Sequence, residues 1–184
     1  MSNMNEYMNK KLKLWELERV SGDEFRDQEK FPIIIILNDI RSLNNIGSFF
    51  RTADAFNIEK IYLCGITATP PHREIQKTAL GSTETVTWEY RQSISELIDE
   101  LKSAEISICS IEQTEKTTKL QDINTLNAMR FALVFGNEVD GVDQEIVDVS
   151  DYVIEILQFG TKHSLNVSVC AGVVMWEFAK RYFE

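Results

Sequence analysis

Three polar segments carry most of the side chains that could do chemistry. The first is Asn38-Asp39-Ile40-Arg41-Ser42-Leu43-Asn44-Asn45-Ile46-Gly47, leading into Ser48-Phe49-Phe50-Arg51-Thr52-Ala53. The second, Gly136-Asn137-Glu138-Val139-Asp140-Gly141, follows the apolar run Phe131–Phe135, and the third is Gln158-Phe159-Gly160-Thr161-Lys162-His163-Ser164-Leu165-Asn166-Val167-Ser168. They offer a guanidinium, a carboxylate, amides and a hydroxyl, groups that orient and stabilise through charge-assisted hydrogen bonds. Metal or thiol chemistry is not expected. Cys64, Cys109 and Cys170 are scattered through apolar segments, and His72 and His163 have no partners at ligand spacing, so buried reduced thiols and no metal site follow. No strand leads into G-x-G-x-x-G or G-x-x-x-x-G-K-[ST], which removes the common dinucleotide and nucleotide-phosphate loops.

Taken singly, each segment has a plainer explanation. Asn45 can be a helix cap. Gly47 and Arg51 lie one turn apart on one helical face, so Gly47 is expected to leave room beside the guanidinium. Gly136 and Gly141 can serve turn geometry. Ser164 can cap a final helix with Asn166 in its first turn, and Glu138 can answer that helix end or sit exposed.

The elements that must position these segments read as follows. Residues 5–30 form a charged arm, helical by its apolar spacing and broken at Gly22. Ile33–Asn38 is a strand buried on both faces. Asn44 or Asn45 caps a helix through Phe49, Phe50, Ala53 and Phe56. Ile58–Cys64 is the next strand, and residues 66–92 form a long connection with room for a short helix. Ser93–Ser103 is a helix capped by Ser93 or Ser95; Ile106–Ile111, Phe131–Phe135 and Tyr152–Leu157 are strands; Ser164–Phe183 is a long final helix. Strands alternating with helices give an α/β domain with a mostly parallel sheet and helices on both faces. In such sheets a ligand binds beyond the carboxyl ends of the strands, where all three polar segments fall.

The 184 residues fit one domain, read as residues 31–184 behind the arm of residues 1–30. With no long apolar run and no secretory h-region, a cytoplasmic protein without membrane contact is expected. The net charge of −10 argues against a broad nucleic-acid-binding surface. The acidity is uneven, however: Glu138 to Glu155 contains seven carboxylates and no Lys or Arg, whereas Arg41, Arg51, Arg73, Lys77 and Lys162 lie in or near the polar segments. A small basic cleft on an acidic body is compatible with both facts.

In combination and order, the three segments resemble the signature motifs of the SpoU/TrmH RNA methyltransferases, part of the SPOUT superfamily. Asn45-Ile46-Gly47-Ser48-Phe49-Phe50-Arg51-Thr52-Ala53 is similar to N-x-G-x-x-x-R-T-A. Gly136 to Gly141 resembles G-x-E-x-x-G, and Ser164 to Val169 resembles the S-L-N-V-S-V helix start. The likeness runs from about residue 33 to the C-terminus. One departure stands out: the family's Ile-Pro before the third segment is Ile156-Leu157 here.

The resemblance implies an α/β fold with a C-terminal deep trefoil knot, here approximately Phe131 to Val173, an exception to the usual connection rules. It implies methyl transfer from S-adenosylmethionine to a ribose 2′-hydroxyl in tRNA or rRNA, by a homodimer whose sites are shared between subunits. The catalytic set it implies is Asn45, Arg51, Glu138, Ser164 and Asn166. Gly136, Ile156 and Leu165 are the implied cofactor contacts, with the Ser110–Gln113 strand exit a further candidate. A guanidinium is a donor without an acceptor, so Arg51 is expected to clamp an RNA phosphate bidentately and steer the hydroxyl. Asn45, Ser164 and Asn166 would position ribose and cofactor, and Glu138 would order the loops and Arg51. Arg73 and Lys77 are open to either RNA contact or simple solvation. The final helix carries more apolar surface than one core needs, which suits burial on two sides. Two other readings stay open: a catalytically silent knotted RNA-binding module, and a SPOUT enzyme that methylates a base.

Overall fold

In the computed structural model, which describes residues 9–183, the apolar run after Phe31-Pro32 forms the centre of a seven-stranded sheet. Strand β1 (Phe31–Asn38) lies between β2 (Ile58–Cys64) and β6 (Phe131–Phe135). With β3 (Trp88–Arg91), β4 (Ser107–Ile111), β5 (Thr118–Lys119) and β7 (Tyr152–Glu155), the order is β3-β2-β1-β6-β4-β7-β5, and all six pairings are parallel. The unbroken isoleucine run of β1 follows from this position. Ile33, Ile35 and Leu37 enter one core while Ile34 and Ile36 enter the other, because side chains alternate across a strand and both faces are covered.

Helices α2 (Leu43–Ala55), α3 (Arg73–Ala79) and α6 (Val167–Ala179) cover the first face through Phe49, Phe50, Ile75, Val174 and Phe178. Helices α4 (Ile94–Ser103) and α5 (Gln144–Val149) cover the second through Leu97, Ile98, Leu101 and Ile146. Among the described residues no helix is long and apolar enough to cross a membrane.

Five local expectations are corrected. Ser42, not Asn44 or Asn45, caps α2, its hydroxyl accepting from Asn45 N at 3.3 Å; Asn45 is thereby freed for other partners. The final helix starts at Val167 rather than Ser164, capped by Asn166, and ends at Ala179 with a 3-10 turn beyond it. The connection 66–92 holds the short helix α3 for which it had room and also the edge strand β3, whose alternation Trp-Glu-Tyr-Arg runs for only four residues, too few to mark a strand.

Nor is the arm a helix over the described residues 9–30; its residues 5–8 lie outside them. Only a 3-10 turn at Leu14–Glu16 and α1 (Gly22–Asp27) form. Leu12, Leu14 and Trp15 are exposed, and a short helix with no apolar face docked is marginal in water. Gly22 opens a helix instead of breaking one, because Ser21 and Glu24 form a reciprocal capping box with Ser21 N donating to Glu24 Oε2 at 2.7 Å.

Candidate functional site

All three polar segments leave the sheet at the carboxyl ends of their strands, β1, β6 and β7, and hydrogen bonds join them there. Glu138, just beyond β6, accepts from Arg41 N and Ser42 N, each at 3.0 Å, and from Asn45 Nδ2 at 2.9 Å. One carboxylate therefore holds the entry to α2 by two backbone donors and a side chain. Burial pushes its carboxyl up, but the donors Arg41 N, Asn45 Nδ2, its own backbone N–H and Ser42 N outweigh this and hold it below the ordinary carboxylate value. Asn45, only 8% exposed, accepts through Oδ1 from Asn166 Nδ2 at 3.3 Å. Asn166 in turn accepts through Oδ1 from Ser168 N at 2.9 Å and Ser168 Oγ at 2.7 Å. Glu138, Asn45 and Asn166 thus form a continuous chain across the three segments.

Two glycines make the loops fit. A Cβ on Gly136 would collide with the backbone of Gly141 and Val142, so the loop after β6 can fold back on itself only with a hydrogen there. Gly141 has φ +73°, and a Cβ on it would strike the Glu112 carboxylate. Gly47 has a different role from the one expected. Its missing side chain admits α3, since a Cβ would hit Thr78 Oγ1 and the Ile75 carbonyl; it makes helix contact rather than space for Arg51.

Beneath the Glu138–Asn45–Asn166 chain opens a cleft of about 740 Å³ between the ends of β4, β6 and β7. Gly136, Ile156 and Leu165 line it, with Glu138, Ser164 and Asn166 at the same walls. Glu112 and Gln113 from the β4 exit line it as well, whereas Ser110 is buried behind, bonded to Ser150 Oγ at 2.7 Å. Cys170 also borders the cleft, but burial first, and then the Glu112 charge, push its thiol up to about 11, so it is a protonated wall group at neutral pH. Cys64 and Cys109 are buried. Ser164 is exposed on the loop.

Arg51 stands apart from this assembly. It lies six residues beyond Asn45 on α2, about 9 Å of helix rise, and its side chain is exposed. Among the described residues it makes no side-chain hydrogen bond or ion pair, with Glu138 or with any other group. Arg73 and Lys77 are exposed on α3. The backbone donors Arg41 and Ser42 and the acceptor side of Asn166 toward Ser168 were not visible as site elements in the sequence, because main-chain donors leave no signature in residue type.

Residues 32–176 match the model of the SpoU rRNA Methylase family. A Staphylococcus aureus (strain MSSA476) protein, named for the TrmH family of tRNA/rRNA methyltransferases, is 30% identical over 171 residues, 90% of this chain and 67% of the relative. A Staphylococcus epidermidis protein of the same name matches to the same extent. Among solved structures, the A. aeolicus TrmH/SpoU tRNA modifying enzyme superposes with a TM-score of 0.77 at 23% identity, over 87% of this chain and 80% of that one. The SpoU methyltransferase AviRb from Streptomyces viridochromogenes, crystallised with AdoMet, gives 0.74 at 20% identity, over 86% and 61%. These structural likenesses speak to the fold, and the mostly parallel, helix-flanked sheet is theirs too. From its sequence match and its arrangement of motifs, the chain belongs to the SpoU rRNA methylase family.

Proposed function

We propose that this chain transfers a methyl group from S-adenosylmethionine to a ribose 2′-hydroxyl of tRNA or rRNA. The observation that carries the reading is the Glu138–Asn45–Asn166 chain set over the cleft. The cleft is of a size for a nucleoside-like ligand, and its walls combine main chain at Gly136 with the apolar side chains of Ile156 and Leu165. AviRb, which shares the fold, was crystallised with AdoMet, and the relatives are named for tRNA/rRNA methylation.

When bound, S-adenosylmethionine supplies an electrophilic methyl group; the remaining work falls to residues of the chain. Gly136, Ile156 and Leu165 hold the cofactor. Ser164 and Asn166, at the mouth of the cleft, position the ribose, and alignment of the reactants accounts for much of the acceleration. Glu138 and Asn45 keep the loops in register. Arg51 clamps an RNA phosphate and favours ionisation of the neighbouring hydroxyl.

Arg51 does this, in our reading, for the cleft of a second copy. Its distance along α2 from its own Asn45, and its lack of partners among the described residues, fit a homodimer with shared sites. A second observation supports such a dimer. On α6, Val169, Val173 and Trp176 recur at helical spacing and are 55%, 42% and 48% exposed, opposite the buried Ala171, Val174, Met175 and Phe178; a helix apolar on all sides is one covered on all sides. The family's knot, over approximately Phe131 to Val173, belongs to the same reading.

The test is transfer of tritium from methyl-labelled S-adenosylmethionine to tRNA and rRNA, followed by nucleoside analysis. A 2′-O-methylated nucleoside is expected. A base-methylated product, or no transfer by the folded dimer, overturns the reading.

A further inference from the structure

Glu112 and Gln113 are adjacent in sequence, yet each grips a different loop. Glu112 N donates to Ile154 O at 3.1 Å, which ties the end of β4 to β7. The Glu112 Oε2 accepts from Val142 N at 3.1 Å, on the loop that begins at Gly136 and carries Glu138. Its other oxygen, Oε1, accepts from Gln113 N at 2.8 Å. Gln113 Nε2 donates to His163 O at 2.9 Å, on the loop that carries Ser164 and Asn166. Gly141 is suited to this contact, since any Cβ there would occupy the place of the carboxylate oxygen. All these groups border the one cleft.

We infer that Glu112 and Gln113 are positioning residues, a two-sided brace that sets the width of the cleft for the adenosine-type cofactor. The inference rests on the cofactor reading above. The two loops meet on one side through Glu138, Asn45 and Asn166. From the end of β4, which lies between β6 and β7, the Glu112–Gln113 pair holds both to a single strand end. With only the first of these links in place, the loops could open without unfolding, and each ligand contact would first have to be re-formed. A carboxylate suits the position because two backbone N–H groups point at it and it meets each with a separate oxygen.

The experiment is calorimetric titration of S-adenosylmethionine into the full chain and into Glu112→Ala, Glu112→Gln and Gln113→Ala. Kinetics of tritium transfer and thermal unfolding are followed alongside. Loss of one such hydrogen bond is expected to raise Kd and KM for S-adenosylmethionine about tenfold. At saturating cofactor, kcat stays near that of the unaltered chain. Glu112→Gln, which keeps one acceptor, falls between Glu112→Ala and the unaltered chain. Should Glu112→Ala fail to fold, Glu112→Gln and Gln113→Ala carry the comparison. Unchanged Kd and KM in the folded variants, or a fall in kcat with KM unchanged, overturns the brace while leaving the cofactor reading intact. No binding by the unaltered chain overturns the cofactor reading and the brace with it.

Discussion

Asn45 Nδ2 donates to Glu138 Oε1 at 2.9 Å, across 93 positions of sequence. The same amide turns its oxygen to Asn166 Nδ2 at 3.3 Å. An amide carries a donor and an acceptor on separate atoms, so one orientation of Asn45 can donate to a carboxylate and accept from a second amide. Asn45 therefore reads as a junction of three chain segments, and its near-complete burial makes each of its bonds hard to replace with water.

Two substitutions at Asn45 should separate bonding from charge. Asn45→Ala leaves Glu138 one donor short and is expected to cost about 1–3 kcal/mol, the range for an unmet buried partner. Asn45→Asp sets a carboxylate against the Glu138 carboxylate and should cost more at pH 7, recovering part of the loss as pH falls and one of the pair takes a proton. Urea unfolding at pH 7 and pH 5 checks both. An Asp variant as stable as the parent at pH 7 would show that the two side chains do not meet.

The carboxyl of Glu138 is held below its ordinary value of 4.5 by its donors, against the opposing effect of burial. A depressed folded value means that the stabilisation is fully present above pH 4.5 and fades as pH drops through the lower folded value. Thermal unfolding of the unaltered chain and Glu138→Gln, followed from pH 7 downward, should show a gap in Tm that is constant near neutrality and narrows below about pH 4.5. A gap that stays the same at every pH contradicts the assignment.

How much of this was readable in advance depends on what kind of interaction sets each feature. The β1 strand was legible because burial on both faces demands an unbroken apolar run, and Ile33 to Leu37 is one. The Glu138, Asn45 and Asn166 assembly was legible only as three motifs in order; nothing in the residues themselves says that Glu138 takes backbone donors from Arg41 and Ser42. Gly47 was misread because periodicity along one helix places Arg51 beside it, whereas the tertiary neighbour is α3. Strands β3 and β5 are not legible because they are edge elements of four and two residues, too short for any alternation to stand out.

Gly47 gives a stability prediction free of the chemistry. Gly47→Ala must displace Thr78 or the α3 backbone at Ile75, and overpacking of this kind typically costs about 1–3 kcal/mol despite alanine's better helix propensity. Denaturant unfolding measures it. A variant of equal or greater stability would mean that α3 does not rest on α2 at this point.

The shared-site reading of Arg51 makes the sharpest demand. If the guanidinium serves the partner's cleft, then Arg51→Ala and Asn166→Ala chains are each inactive as homodimers, yet one site in their heterodimer is whole: Arg51 of the Asn166→Ala chain faces the intact cleft of the Arg51→Ala chain. Random pairing of the two chains makes half of the dimers mixed, with one good site in two, so co-expression should recover about a quarter of the parent activity. If Arg51 serves its own cleft, every site in the mixture lacks one residue and no activity returns. Val173→Asp, placed on the exposed α6 stripe, should convert dimer to monomer in sedimentation and abolish the recovery with the helix content unchanged, because an isolated charge in an apolar interface is left without a partner. Recovery that persists in a monomeric Val173→Asp background would refute the exchange of Arg51 between subunits.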